Sequence, residues 1–311
     1  MVRDYRRVDS FGSRLARDLV KNYGLYLLLV PAILFYTLFC YKPLYGAIIA
    51  FKRYVPTKGI VASPWVGLTH FEAFFGSYYF WRLLRNTLTI SLSSLVIGFP
   101  APIIFALLLN ELRSERFKKI VQTVTYLPHF ISMVVMCGLI RLFTQDTGVV
   151  VQALSLFGFE PVSLLSRAEY FVPVYVLSGV WQGIGWGSII YLSALPGIDP
   201  ELYEAATIDG ANRWRQTLHV TLPGIAPTII IMLLLRMGSV MNVGYEKIIL
   251  LYNEGIYETA DVISTFVYRK GLEQAQWSYS AAVGLFNSVV NFVIIVLMNR
   301  FSRAITDVSL W

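Results

Sequence analysis

One arginine, Arg236, falls inside a long apolar stretch, 224–251. At helical rise it lies about 12 residues, or about 18 Å, from one end, near the middle of a bilayer core about 30 Å thick. Ser239, Asn242 and Tyr245 follow it. Two other apolar stretches carry polar side chains to a similar depth. Ser178, Trp181, Gln182 and Gly185 share one helical face of 171–195, with Trp186 close by. Ser280, Gly284, Asn287 and Asn291 share one face of 277–299. Trp181, Gln182 and Asn287 are each about 15 Å from the opposite end of their stretch. Groups this deep face protein or a water-filled cavity rather than lipid. The amides and hydroxyls could bond the hydroxyls of a polar solute, and Trp181, Trp186 and Tyr245 could stack on its rings. The same residues could equally bond one helix to the next, so both readings stand. Arg236 costs at least about 2.5–3.5 kcal/mol at the midplane, so it needs a partner or a task. Either an acidic solute group or a carboxylate of this or another chain would serve. Glu246 and Lys247, nearer the end of that stretch, read as an internal or interfacial ion pair.

The second candidate is the polar interval 199–223 between two of these stretches. Asp199 can cap a helix that has Pro200 at its first position and Glu201 in its first turn. Leu202, Ala205 and Ala206 then share a face, and Gly210 suits the left-handed residue that ends such a helix. A second short helix follows, with Ala211, Trp214, Leu218 and Leu222 on one stripe, before Pro223. Small residues at 205 and 206 with acids at 204 and 209 would let another surface approach closely. A helix lying flat on the membrane and only closing the loop fits the same residues.

Glu204-Ala205-Ala206, Gly210 four residues on, and Leu222-Pro223, placed between two apolar spans, resemble the EAA loop of bacterial ABC importer membrane subunits. The segments FYTLFCYKPLYGAIIAFKRY, WVGLTHFEAFF and RMGSVMNVGYEKIILLYN are similar to carbohydrate-type permeases, and the resemblance covers about residues 24–300. It implies an all-α membrane protein with the type I importer permease fold. By that resemblance 199–223 is a coupling loop, in which Glu204, Ala205, Ala206, Asp209, Gly210 and Arg213 meet an ATPase. It further implies a second, homologous permease, two copies of a cytoplasmic ATPase carrying ATP and magnesium, and an extracytoplasmic solute-binding protein. The cargo would be an oligosaccharide or polysaccharide fragment, moved by alternating access across a bacterial inner or plasma membrane. The permeases for polysaccharides and oligosaccharides, named for lipoprotein or alginate transport systems, are the nearest type.

The elements that must position these groups follow from hydropathy. The chain has 311 residues, 56% hydrophobic and only 14% charged. That is far below the charge of a soluble domain, and the apolar residues come in blocks. Six spans are expected, at 24–50, 83–109, 120–143 with a kink at Pro128, 171–195, 224–251 and 277–299. Outer loops fall at 51–80, 144–170 and 252–276, and a basic inner loop at 111–119. Lys and Arg are denser on the side holding 1–23 and 111–119, which puts both termini in the cytoplasm. The organisation is thus a cytoplasmic tail at 1–23, a first span with its outer loop at 24–82, a permease core at 83–300 and a second tail at 301–311. The first apolar block is too long for a cleavable signal peptide. The glycines at 179, 183, 185 and 187 sit within a span and no strand precedes them, so they serve close helix packing rather than a dinucleotide.

The net charge of +7 reflects cytoplasmic Lys and Arg, and no aromatic-interleaved basic patch suggests nucleic acid. Cys40 and Cys137 lie in apolar blocks without a metal-ligand pattern, and His70, His129 and His219 are scattered. No P-loop, nucleophile elbow or paired carboxylates occur, so no catalytic residue is expected, this chain binds no cofactor, and ATP hydrolysis would need another chain. The main alternative is an ion-driven secondary transporter. It would want acidic or histidine residues within the spans, where Arg236 is the clear charge.

Overall fold

The computed structural model describes residues 11–306, and among these the regular structure is helical. Arg3, Arg6 and Arg7 of the basic tail, and residues 307–311, lie outside the described residues. The chain divides into two units, 1–67 and 68–311.

In the first unit, Phe11–Lys21 (α1) leads to a helical run, Tyr23–Phe51 (α2), which passes Pro31. Leu25, Leu28, Ile33, Phe35 and Phe39 of α2 are all exposed. A helix apolar on every side is suited to lipid or to helices of another chain. Beyond it an isolated antiparallel bridge joins Lys52 to Trp65. Phe51 stacks on Trp65 at 5.7 Å, and Lys52 Nζ donates to the carbonyls of Ile60 and Val61.

The second unit begins with Thr69–Phe75 (α3) and Tyr79–Asn110 (α4). The span expected at 120–143 is instead two helices, Glu115–Tyr126 (α5) and Met133–Thr144 (α6). Pro128 lacks an N–H and sits in a 3-10 turn, Leu127–Phe130. Ile131 is extended, and Ser132 Oγ accepts from Val135 N to start α6. The apolar run therefore begins later and continues through Val149–Ser155 (α7), inside what reads as an outer loop.

Ala168–Ala194 (α8) packs along α4 and α5. Gly185 makes that crossing possible, because a Cβ there would collide with the backbone oxygen of Thr125. Pro200–Ile208 (α9) and Arg213–Gly224 (α10) follow, and α10 meets Ala226–Met237 (α11) at a 61° bend. The span expected at 224–251 is broken. α11 ends at Met237, 238–244 leave the helix, and Tyr245–Leu251 (α12) resumes it.

The interval 252–276, expected as an outer loop, is folded into the core. Ile256, Ala260 and Val262 pack with Ile90, Met136 and Ile248. Ile263 and Phe266, on Ile263–Tyr268 (α13), pack with Phe74, Leu83 and Val283. Trp277–Thr306 (α14) closes the described chain. By length and apolarity α2, α4, Met133–Ser155 and Trp277–Ala304 can each cross a membrane, and the bent pair α10–α11 makes a fifth. With 27 residues α8 is long enough, but Gln182, two tryptophans and its glycines make it less apolar than these.

Candidate functional site

The break at 238–244 is the origin of the site. Leaving the helix frees backbone groups that hydrocarbon cannot satisfy, so protein must. Ser91 Oγ, from α4, donates to the Val240 carbonyl. Ser264 Oγ, from α13, donates to the Val243 carbonyl at 3.1 Å. Asn291 Oδ1, from α14, accepts from Met241 N at 3.0 Å. Three elements thus hold the unwound segment in one shape.

A cavity of about 520 Å³ opens beside it, between α4, α8, α11 and α12. Gln182, Arg236, Ser239, Asn242 and Lys247 supply its polar wall with Ser91, Ser94 and Tyr175, while no Asp, Glu or His among the described residues lines it. Arg236 stands in the last turn of α11, is exposed, and has no ion-pair partner among the described residues. Lys247, on α12, is only 6% exposed. Its Nζ donates to the Tyr175 carbonyl at 2.9 Å and lies 4.6 Å above the Tyr175 ring. Glu246 is exposed and Lys247 turns inward, so the pair read from sequence does not form. Two cations therefore share one cavity with no carboxylate in its wall. A buried ammonium met by a carbonyl and a ring is only partly compensated, and the arrangement favours an anion.

The structure brings together Gln182, Arg236, Ser239 and Asn242 on this wall. Asn287 and Asn291 lie behind it, both buried, and bond to Asn242 Oδ1 at 2.8 and 3.2 Å. Trp181 faces a separate, mostly apolar cavity with Phe143, Val149 and Leu177. Trp186 stacks on His129 at 4.6 Å, and Tyr245 on Tyr268 at 6.1 Å. Lys247, Tyr175 and Ser91 were not singled out for this wall by sequence reasoning. The charge of Lys247 was visible, but nothing local in the sequence distinguishes an inward lysine from a partner of Glu246.

A second group of charges escaped sequence reading. Asp261 is fully buried, with Oδ2 2.7 Å from Arg269 Nη2 and 3.4 Å from Arg82 Nη2. Thr265 Oγ1 donates to its Oδ1 at 2.9 Å. Asn86 Nδ2 donates to the carbonyls of Glu258 and Asp261, tying α4 to the same segment. Burial works to lower the Arg269 pKa, but the Asp261 hydrogen bond and charge outweigh it and hold it above the ordinary arginine value. Nearby, burial and a hydrogen bond to Tyr257 push the Tyr252 phenol up to about 12.

The polar loop forms as its residues dictate. Asp199 accepts from Glu201 N at 3.0 Å to cap α9. Gly210, at φ 75°, ends it, with Ala211 N donating to the Ala206 carbonyl at 2.9 Å. Asn212 then caps α10 through Arg215 N. Glu204, Ala205, Asp209, Gly210 and Arg213 are exposed, and Ala206 is half-buried. Arg213 Nη1 reaches Glu111 Oε2 at 2.8 Å, which ties this loop to the loop after α4. Leu202, Ile208 and Trp214 are exposed around the helix. Leu222 of the expected stripe packs inward, whereas Trp214 does not, because α10 contains a π turn at Thr217–Thr221 that shifts the register.

Residues 98–307 match the family described as "Binding-protein-dependent transport system inner membrane component". The chain is 44% identical over 291 residues to the polygalacturonan/rhamnogalacturonan transport system permease protein YteP of Bacillus subtilis, covering 93% of this chain and 91% of that one. It is 44% identical over 286 residues to protein LplB of the same organism, covering 92% and 90%. Among solved structures it matches, at 46% identity and a TM-score of 0.86, a chain of a bacterial ABC transporter involved in the import of the acidic polysaccharide alginate, covering 94% of this chain and 99% of that one. A bacterial alginate ABC transporter in complex with an alginate pentasaccharide-bound periplasmic protein matches at 44% identity and a TM-score of 0.87, covering 96% and 100%.

Proposed function

This chain belongs to the binding-protein-dependent transport system inner membrane component family, and on that premise we propose that it is the permease subunit of an ATP-driven importer for an acidic oligosaccharide or polysaccharide fragment. The observation that carries the acidic reading is the pair of cations, Arg236 and Lys247, in a cavity whose wall has no carboxylate among the described residues. Gln182, Ser239 and Asn242 offer neutral hydrogen-bonding groups beside them for hydroxyls. The names of the relatives, polygalacturonan and alginate, support the same chemistry.

The chain is a multi-pass subunit of a bacterial inner or plasma membrane, with six spans and both termini in the cytoplasm. The five apolar runs and the length of α8 support six, and the basic tail and the loop 111–119 support the orientation. It pairs with a second permease and two ATPase copies, which hold ATP and magnesium, and takes its cargo from an extracytoplasmic binding protein. Exposed Glu204, Ala205, Asp209, Gly210 and Arg213, with half-buried Ala206, form the ATPase contact. ATP-driven closure of the ATPase pair moves α9 and, through α10 and the bend to α11, the segment that carries Arg236. The ion-driven reading finds no support, because no Asp, Glu or His among the described residues lines the cavity to relay an ion.

The test is uptake by the purified complex in proteoliposomes, with binding protein and internal ATP. Uronate oligosaccharides should enter and stimulate ATP hydrolysis, and their methyl esters should do so poorly. Equal use of acid and ester would overturn the acidic reading. Uptake without ATPase or binding protein would overturn the importer reading.

A further inference from the structure

The carboxamide of Asn242 has two ends, one a pair of donors and the other an acceptor. Which end meets the cavity decides whether the residue attracts or repels a carboxylate. Resting on the acidic reading of this cavity, we propose that Asn291 and Asn287 are positioning residues that hold the donor end of Asn242 toward the substrate.

The orientation follows from one group whose polarity is fixed. The backbone N–H of Met241 can only donate, and it donates to Asn291 at 3.0 Å, so the atom it meets is Asn291 Oδ1. The other end of Asn291 is then its NH2, and it lies 3.2 Å from Asn242. Asn242 must answer with Oδ1. Asn287 donates to that same oxygen at 2.8 Å, which doubles the constraint. Both lone pairs of Asn242 Oδ1 are thereby used, and its NH2 is left for the cavity that Asn242 lines. Neither Asn287 nor Asn291 lines that cavity, and each is less than 9% exposed. Asn287 Oδ1 is buried with no hydrogen-bond partner among the described residues. A buried acceptor left bare is costly, and turning the Asn287 amide to relieve it would set two oxygens against each other at Asn242. The bare oxygen is thus the cost of pointing a donor at Asn242.

With Arg236 and Lys247 the result is a wall in which the side chain of Asn242 offers a carboxylate its donor end rather than its acceptor end. The role differs from simple helix bonding in what it controls. A merely structural pair would affect all cargo alike. A positioning pair affects acids more than esters.

The experiment measures kcat/KM for ATP hydrolysis coupled to uptake by the assembled complex, with a uronate oligosaccharide and its methyl ester as probes. Asn242→Ala should lower the acid-to-ester ratio about tenfold, the loss expected for one hydrogen bond to a charged group. Asn291→Ala should lower it to a similar degree, and the double variant should fall no further, because both act through one amide. Asn287→Ala leaves the Met241 bond intact and should lower the ratio less, so it keeps the test available if Asn291→Ala does not assemble. An unchanged ratio in Asn291→Ala or, failing assembly, in Asn287→Ala would overturn the proposal, as would multiplying effects in the double variant. A wild-type ratio near one would instead remove the acidic reading on which the proposal rests.

Discussion

Arg236 and Lys247 reach one cavity from the two sides of a helix break, the first from the last turn of α11 and the second from α12. Were 224–251 a continuous helix, the two would be 11 residues apart, about 16 Å along the axis. The break lets both cations serve the same space, and it makes their relative position depend on the bonds from Ser91, Ser264 and Asn291 that hold 238–244. Discontinuous helices at bilayer depth recur where a membrane protein handles a charged solute.

Removing either charge should therefore weaken transport of acids. Arg236→Gln and Lys247→Met should each reduce kcat/KM for a uronate oligosaccharide about ten- to hundredfold, as for the loss of one charge-assisted contact. Transport of the methyl ester should change little. Lys247→Met keeps the apolar stem that fills the buried position. Full acid uptake with normal assembly in Arg236→Gln would leave that residue with neither a substrate role nor a structural one.

Coupling should fail when α9 loses its end. The Gly210 N–H donates to the Thr207 carbonyl at 3.0 Å, and the residue sits at φ 75°. Proline can neither donate there nor adopt that angle. Glu204→Ala combined with Gly210→Pro should abolish ATP-dependent uptake while the chain still inserts and pairs. Co-purification of the ATPase and uptake are the two readouts, and normal transport by the double variant would remove the coupling assignment.

The Asp261 cluster predicts stability rather than transport. Asp261→Asn leaves Arg82 and Arg269 facing each other without their shared carboxylate. Breaking a buried pair from one side costs about 3–5 kcal/mol, so the detergent-solubilised protein should unfold at a clearly lower temperature. Replacing all three charges with Leu or Met should recover much of the loss. A single variant as stable as the wild type would mean that the Asp261 ion pairs add no net stability to the segment 252–276, leaving it to its apolar contacts and to bonds such as those from Asn86.

What could be read from the chain was whatever a local pattern or a helical rise can carry. The depth of Arg236 follows from counting residues, and the ends of α9 follow from Asp199 and Gly210, whose side-chain oxygen and missing Cβ are local properties. The break at 238–244 was only partly legible. Gly238, Ser239, Asn242 and Gly244 weaken a helix there, but Val240, Met241 and Val243 keep the hydropathy of a span, and the stabilisers, Ser91, Ser264 and Asn291, come from distant positions. The packing of the interval 252–276 was hidden for a related reason. Glu254, Glu258, Asp261, Arg269 and Lys270 mark it as a loop, yet Asp261 is neutralised partly by Arg82, 179 residues away, and Ile256, Val262 and Phe266 are core. The bracing of the cavity belongs to the same class. Sequence spacing put Asn287 and Asn291 on one face, but only their contacts reveal that this face meets Asn242 rather than the open cavity.

Gly185 and Gly183 stand two residues apart on α8 and should behave oppositely. A Cβ at 185 would collide with the backbone oxygen of Thr125 and come within 2.9 Å of the Tyr126 ring, and backbone cannot swing aside as a long side chain can. Gly185→Ala should therefore push α8 off α5 and destabilise the protein by about 1–3 kcal/mol, the usual range for overpacking. At 183 a Cβ meets nothing within 4 Å, and the position lines the cavity. Gly183→Ala gains helix propensity of up to about 1 kcal/mol, so it should leave the unfolding temperature unchanged or raise it. Thermal unfolding of the two variants in one detergent checks both at once. Equal destabilisation by both would mean that the α5 crossing is not the reason for Gly185.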